Sequence, residues 1–341
     1  MRLDKPADAE EDFSAAIARD DTGPETFYLR GRVRLILERH ADAEQDFTAA
    51  IVGGMDDADV FVRRARSRLS QNCWAGAEED LIAAQTKGRD DANLFFMFGV
   101  ARRELKQYPA AERDFDAALA RDPNDWACRL ERSRMYLYRG KLEEAERAFD
   151  AILAQQPGDL LAHWSRALAR YGQGNSAGAM EDCTAALPPG SANPSFLVTR
   201  AQAWVRLGRI EEAEQDCAEV ARAGAESADA IGCQGVLLMA RGAFEDASAR
   251  FETARQAAND KDWHFQLGLA LLLSGRAEEA AAAYRHGAAQ SVPGDLQIAL
   301  SDLDFWLRQY AERLSTPELQ QAASGIRTEL AQRLESENRG G

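Results

Sequence analysis

A short pattern recurs along most of this chain: an alanine, three mainly polar residues, then a bulky apolar one. Ala9-Glu-Glu-Asp-Phe13 returns as Ala43 to Phe47, Ala77 to Leu81, Ala111 to Phe115, Ala145 to Phe149, Ala179 to Cys183, Ala213 to Cys217, Ala247 to Phe251 and Ala280 to Tyr284. Each of the first seven intervals between these alanines spans thirty-four positions, and the last is one shorter. Twelve residues before each alanine, from the second copy on, stands a small residue: Gly31, Ala65, Gly99, Ser133, Ala167, Ala201, Gly235 and Gly268. Seven residues after it stands another mostly small one, such as Ala50, Ala84, Ala118 or Ala254. Small side chains let two helix backbones approach toward the lower end of the ~8–10 Å packing range. The bulky residue then fills the space between neighbouring pairs. Strand-like alternation is absent, so the period predicts helix A, a tight turn, helix B and a short loop in every unit. Gly140, Gly174, Gly208, Gly242 and Gly275, five residues before their marker alanines, end helix A, and Pro123 and Pro157 open the loop after helix B.

This pattern divides the chain. Residues 1–23 carry a helix B with no helix A before it, 24–294 hold eight repeats of that length, 295–334 form a C-terminal pair of capping helices, and 335–341 are expected to be a disordered tail. The start in mid-repeat suggests a piece of a longer protein, a misassigned first residue, or an apolar face that something else covers. In the last pair, Leu296, Leu300, Leu303, Trp306, Leu307 and Tyr310 make one amphipathic helix. Ser315-Thr316-Pro317-Glu318 opens the next, with a hydroxyl cap and a proline in the first turn.

The length of the period and the small–Ala–Phe–Ala signature resemble the tetratricopeptide repeat, over residues 1 to about 294. That resemblance implies an all-α, right-handed superhelical solenoid of antiparallel helix pairs, closed by the C-terminal capping helix pair. It is nearly silent about function. The tryptophan usual near the start of helix A is replaced by Phe27, Phe61, Phe95, Arg129, His163, Leu197, Ile231 and His264. The usual tyrosine three residues after the small position is arginine at Arg34, Arg68, Arg102 and Arg170.

Charge narrows the partners. The net charge is −15, with a pI near 4.9. Such a chain repels nucleic-acid phosphates and anionic membranes unless its basic groups cluster. No run of 18 apolar residues is present and the first eleven residues are polar and acidic. The five cysteines form no Cys-x-x-Cys and are odd in number, which fits reduced thiols in a cytoplasmic protein.

Two sets of arginines matter. Arg30, Arg64, Arg166 and Arg200 stand sixteen residues before Asp46, Asp80, Asp182 and Asp216, so four repeats offer an ion pair between their own two helices. The pattern breaks at Phe98/Asp114 and Arg132/Ala148. The second set belongs to the inner face, which helix A lines in the family that the chain resembles. The expected groove residues are Tyr28, Arg32, Arg63, Arg66, Phe96, Arg103, Arg134, Tyr138, Trp164 and Tyr171. The first half of this groove reads as basic and aromatic. The second half, with Gly232, Val236, Met239, Leu269 and Leu272, reads as apolar. An extended or helical acidic peptide fits the first half, its carboxylates on arginine forks and its apolar groups on the rings. The alternative use of these arginines is pairing with the plentiful Asp and Glu nearby.

Catalytic motifs are missing. The four histidines make no His-Glu-x-x-His and no Cys/His metal spacing, and Gly-x-Ser-x-Gly does not occur. His163 and His264 share one repeat position with bulky residues and read as packing, and Cys183 and Cys217 replace the core phenylalanine as small hydrophobes. Gly172-Gln-Gly174-Asn-Ser-Ala177 fits a dinucleotide fingerprint formally, but it lies in a helix–helix turn with no strand before it. The expectation is a non-catalytic scaffold or adaptor for a protein or peptide, with no cofactor, metal, nucleic acid or membrane. The rival reading is a regulatory or substrate-binding arm of a longer enzyme, such as a transferase.

Overall fold

A computed structural model of the chain describes residues 5–19, 22–187, 193–258 and 261–339. Among these it has α-helices and one short 3-10 turn, and no strand. The fold is the all-α solenoid of helix pairs that the period predicts. It forms two compact units, residues 1–132 and 133–341.

The first unit holds α1 (Pro6–Ala18), α2 (Pro24–Ile36), α3 (His40–Val52), α4 (Ala58–Ser70), α5 (Trp74–Thr86), α6 (Ala92–Glu104), α7 (Tyr108–Arg121) and the start of α8 (Trp126–Tyr138). The second unit takes the rest of α8, then α9 (Leu142–Gln155), α10 (Leu160–Gly172), α11 (Ser176–Ala185), α12 (Pro194–Arg206), α13 (Ile210–Ala223), α14 (Ala228–Ala240), α15 (Phe244–Ala257), α16 (Lys261–Leu273), α17 (Ala277–Gln290), α18 (Pro293–Gln309) and α19 (Pro317–Arg339). From α2 to α17 the even-numbered helices are A and the odd-numbered ones B. Helices A open on side-chain caps where the loop supplies one: Asp57, Asp91, Asp159, Asn193 and Ser227 each accept an N–H of their first turn.

The turn from A to B needs a left-handed residue five places before each marker alanine. Gly140, Gly174, Gly208, Gly242 and Gly275 supply it, with φ between 68° and 91°. In the first three pairs the same place is held by Glu38, Asn72 and Lys106, at φ of 58°, 61° and 60°. A side chain there costs ~1–2 kcal/mol, least for asparagine. Glycine gives back ~0.5–1 kcal/mol through the entropy of the unfolded chain. Glu38→Gly and Lys106→Gly are therefore expected to stabilise the protein by ~0.5–1 kcal/mol each, and Asn72→Gly by less, in denaturant melts. A loss of stability in both would show that contacts of these side chains outweigh the backbone strain.

Each helix pair closes on a contact between the small residue of A and the bulky residue of B, sixteen positions later. A methyl group on Gly31, Gly99, Gly235 or Gly268 would lie 2.8, 2.6, 2.5 or 2.6 Å from the rings of Phe47, Phe115, Phe251 and Tyr284. Where helix A has alanine instead, helix B has a smaller partner: Ala65 with Leu81, Ala167 with Cys183 and Ala201 with Cys217. Ser133 with Phe149 is the pairing that departs from this rule. Cys183 and Ala167 are both fully buried in one cluster. Cys183→Phe alone should destabilise by ~1–3 kcal/mol through overpacking. Adding Ala167→Gly should recover part of that loss, although glycine in a helix alone costs ~1 kcal/mol. A double-mutant cycle without coupling would refute the volume rule.

The two C-terminal helices do different things. α19 packs on α17 and α16, turning Leu319, Ala323, Ile326 and Leu330 inward, and Thr316 caps it by accepting the Leu319 N–H at 3.3 Å. It runs on to Arg339, into the segment expected to be a disordered tail, while residues 340–341 lie outside the described residues. α18 instead lies against helices A of the second unit, chiefly α10 and α16.

Candidate functional site

The arginines sort into those the fold uses and those it leaves. All four expected A-to-B pairs form: Arg30–Asp46 at 2.7 Å, Arg64–Asp80 at 2.7 Å, Arg166–Asp182 at 2.5 Å and Arg200–Asp216 at 2.6 Å. The arginines in the usual tyrosine position join them. Arg34, Arg68 and Arg170 hold the same Asp46, Asp80 and Asp182 at 2.8–3.0 Å, and Arg102 holds Asp114 at 2.8 Å. Each of these four also reaches back to the preceding helix B, to Glu10, Glu44, Glu78 or Glu146, at 2.7–2.9 Å. The aspartates are buried. Asp114 lacks a second arginine, because Phe98 stands in its place; burial pushes its carboxyl above the ordinary value against the pull of Arg102. Arg132, which has Ala148 instead of an aspartate sixteen residues on, turns back to Glu112 and Asp116. This second set of arginines is visible in the sequence as the tyrosine replacements, but their glutamate partners on the preceding helix B were not anticipated.

In the first unit the expected groove residues fall into three situations. Tyr28, Arg32 and Arg63 come together: both guanidinium groups lie over the Tyr28 ring, at 5.6 and 5.7 Å. Arg63 is also spent on Asp59, at 2.6 Å, and donates to the Tyr28 hydroxyl at 3.0 Å. Burial works against the Asp59 carboxylate, yet hydrogen bonds from Tyr28 and Arg63 hold it below the ordinary range. Arg103 is likewise paired, with Glu104 at 2.6 Å and with Glu131. Phe96 packs its ring 6.0 Å from Phe115 and is half-buried. Arg32 and Arg66 meet no carboxylate among the described residues, and Arg66 is exposed.

In the second unit the face is covered. Asp302 of α18 accepts from the Tyr171 hydroxyl at 2.8 Å, from Arg206 at 2.7 Å and from Gln266 at 3.1 Å, so one carboxylate ties α18 to α10, α12 and α16. The Arg206 and Asp302 side chains are only 3% and 9% exposed. Arg206 also lies 3.8 Å from the centre of the Tyr171 ring and donates to its backbone carbonyl at 3.0 Å. At the other end of α18, Gly294 approaches α8 so closely that a methyl group would sit 2.0 Å from the Leu137 carbonyl oxygen. Leu296, Leu303 and Trp306 are buried beneath the helix. Val236 and Met239 share a small cleft with Trp306 and Asp302, and Leu269 and Leu272 are wholly buried. Val236 and Met239, in the half read from sequence as apolar groove, thus face α18. Tyr171, expected to meet a partner, is sealed by it. Arg134, Tyr138 and Trp164 line a cleft of about 390 Å³ that remains between α18 and helices A.

Four stretches of the chain, residues 1–58, 62–126, 130–195 and 234–295, match the family model described as "Tetratricopeptide repeat", and together they cover well over half of it. The chain belongs to the tetratricopeptide repeat family. Among solved structures, a tetratricopeptide repeat protein from Parabacteroides merdae ATCC 43184 is 17% identical, with a TM-score of 0.59 over 73% of this chain and 98% of that one. PilF of Pseudomonas aeruginosa is 16% identical, with a TM-score of 0.51 over 62% of this chain and 96% of that one. These likenesses show the fold. A search of curated proteins found no match.

Tetratricopeptide repeats over both units support a protein-interaction scaffold in general. The reactive side chains have structural surroundings. Cys128, Cys183, Cys217 and Cys233 are buried and Cys73 is exposed. Burial pushes the Cys128 and Cys183 thiols up to about 12, far from a thiolate at neutral pH. His163 bonds Asp182 and the Pro157 carbonyl, and His264 is buried against His286 at 4.5 Å. Among the described residues no group of three or more His, Cys, Asp or Glu could hold a metal ion, and no helix is long and apolar enough to cross a membrane.

The seat of α18 was missed, although one signal pointed to it. Asp302 lies on the same helical face as Leu296, Ala299, Leu303 and Trp306, and an acid inside an apolar stripe needs a buried partner. Asp302→Ala leaves Arg206 buried and unpaired and should cost ~3–5 kcal/mol. Hydrogen exchange should then rise first in α18 of the full chain. If α18 amides stay as protected as those of α16, the carboxylate is not what holds the helix.

Proposed function

We propose that the chain is a scaffold that captures acidic peptide segments on the helix-A face of its first unit. The observation that carries this reading is the pair Arg32 and Arg66. They occupy the same repeat position on α2 and α4, one period apart, and are the arginines of the expected groove that no carboxylate of the chain neutralises among the described residues. Neighbouring A helices stand ~10 Å apart. Alternate residues of an extended peptide are ~7 Å apart, so carboxylates two or three positions apart can reach both guanidinium forks. Arg32 leans on the Tyr28 ring, which limits its freedom before binding. Phe96 offers the next apolar anchor along the same face. Arg63 and Arg103, already paired, serve as framework for this face.

The test is a displayed random peptide library selected on the full chain, followed by affinity measurement for the enriched peptides. They should be rich in Asp and Glu. Arg32→Glu with Arg66→Glu should weaken them by at least ~10-fold, since hydrogen bonds to charged groups contribute ~1.5–3 kcal/mol each. Arg209→Glu, an exposed control in the second unit, should leave binding unchanged. Peptides without acidic enrichment, or an affinity indifferent to the double reversal, would remove the reading.

A further inference from the structure

The helix-A face of the first unit carries an acid of its own beside its two open arginines. Asp59 of α4 accepts a hydrogen bond from the Tyr28 hydroxyl of α2. Arg63, one turn on in α4, donates to the same carboxylate at 2.6 Å, and Arg89, from the loop before α6, reaches it at 3.6 Å. A hydroxyl and two guanidinium groups thus converge on one point from three segments of the chain. That is the donor set of a carboxylate-binding cradle, and the chain fills it itself. The cradle adjoins Arg32, which shares the Tyr28 ring with Arg63, and Arg66, which stands three residues after Arg63 on α4. The Arg63 and Asp59 side chains are 32% and 36% exposed, so a ligand can reach both. Against the effect of burial, the hydrogen bonds of Tyr28 and Arg63 hold Asp59 below the ordinary carboxylate range, so its charge is present at neutral pH.

We propose that Asp59 is a specificity-determining residue of this face: by filling the cradle it limits an acidic ligand to two carboxylates, those taken by Arg32 and Arg66. The proposal rests on the peptide-binding reading of the face. A third ligand carboxylate next to the one on Arg66 would arrive at Arg63. There Asp59 already neutralises the guanidinium and stands as a like charge. Two carboxylates sharing one site oppose each other's ionisation, so the third acid stays in water. Peptides with a longer acidic run therefore gain nothing from the extra charge, and the face separates a short acidic motif from a polyanion. Removing the Asp59 charge while keeping its shape would open the cradle and change the number of acids that the face reads.

The experiment selects displayed random peptide libraries in parallel on the full wild-type chain and on full-length Asp59→Asn, then measures the enriched peptides on both. Asparagine is what α6 carries at this repeat position, as Asn93, and its side-chain oxygen can still accept from Tyr28. The wild type should enrich peptides with two acids, and the variant peptides with a third. The three-acid peptides should bind the variant at least ~10-fold more tightly than the wild type, and adding Arg63→Gln should remove that gain. Asp42→Asn, which takes one negative charge from α3, should give no gain, which separates the cradle from net charge. If Asp59→Asn does not fold, Asp59→Ser, a residue suited to helix starts, carries the test. Acidic peptides on the wild type with no third acid on the variant would overturn this proposal alone. Acidic peptides on the variant and none on the wild type would overturn the reading of Arg32 and Arg66 and uphold Asp59 as the acid that excludes them. Acidic peptides on neither would remove both.

Discussion

The closest approach between helix A and helix B sets every other feature of this molecule. Glycine faces an aromatic ring and alanine faces leucine or cysteine, so the summed volume at the contact stays nearly constant while its parts vary. Interiors packed at crystal-like density tolerate such exchange and resist net change. The contact fixes the spacing of the pair, and the spacing fixes where the ends of longer side chains arrive. A pair opened by a methyl group's width would carry its arginines away from their aspartates. The one departure, Ser133 with Phe149, sits in α8, the helix in which the two compact units meet in sequence.

The second layer of constraint is electrostatic, and it runs along the array. Asp46, Asp80 and Asp182 are each buried and clamped by two arginines, and the second of these also grips a glutamate of the preceding helix B. Buried ion pairs gain little net stability over apolar contacts, because desolvation offsets the attraction. What they contribute is register, since a slipped helix would strand a charge. An acidic protein can spend arginines this way and still keep solubility from its surface carboxylates. The consequence for function is economy: once the paired arginines of the expected groove are assigned, Arg32 and Arg66 stand out, because they meet no carboxylate among the described residues.

The sequence made the repeat, its helix pairs and the four A-to-B ion pairs legible because each depends on residues at constant spacing. Position alone also singled out Tyr28, Arg32 and Arg63, which do come together. Three things were out of its reach. Whether Arg63 is spent on Asp59, one turn back in α4, and Arg103 on Glu131 of the next A helix depends on side-chain reach among acids too plentiful for spacing to choose. The turn at Glu38 and Lys106 needs the conformation glycine supplies in later pairs, and the helix contacts around it override residue preference. The docking of α18 joins Tyr171 to Asp302, far apart in the chain, and no period encodes a contact made once.

That single contact explains why the two units differ as surfaces although they share one repeat. Array pairs recur, so their interactions are selected position by position; α18 has to find its seat once and hold it. Apolar burial of Leu296, Leu303 and Trp306 supplies attraction but poor direction, because an apolar stripe can slide by a turn on an apolar face. Asp302 supplies direction. Its carboxylate is satisfied only where Tyr171, Arg206 and Gln266 converge, and sliding by one turn would leave both it and Arg206 buried without partners. Gly294 adds a steric stop at the Leu137 carbonyl, where any side chain would collide with backbone. Two fixed ends and a helix that cannot follow every contour of the face between them leave space where Trp164, Ser165 and Trp263 stand. The cleft is therefore a consequence of how α18 is pinned.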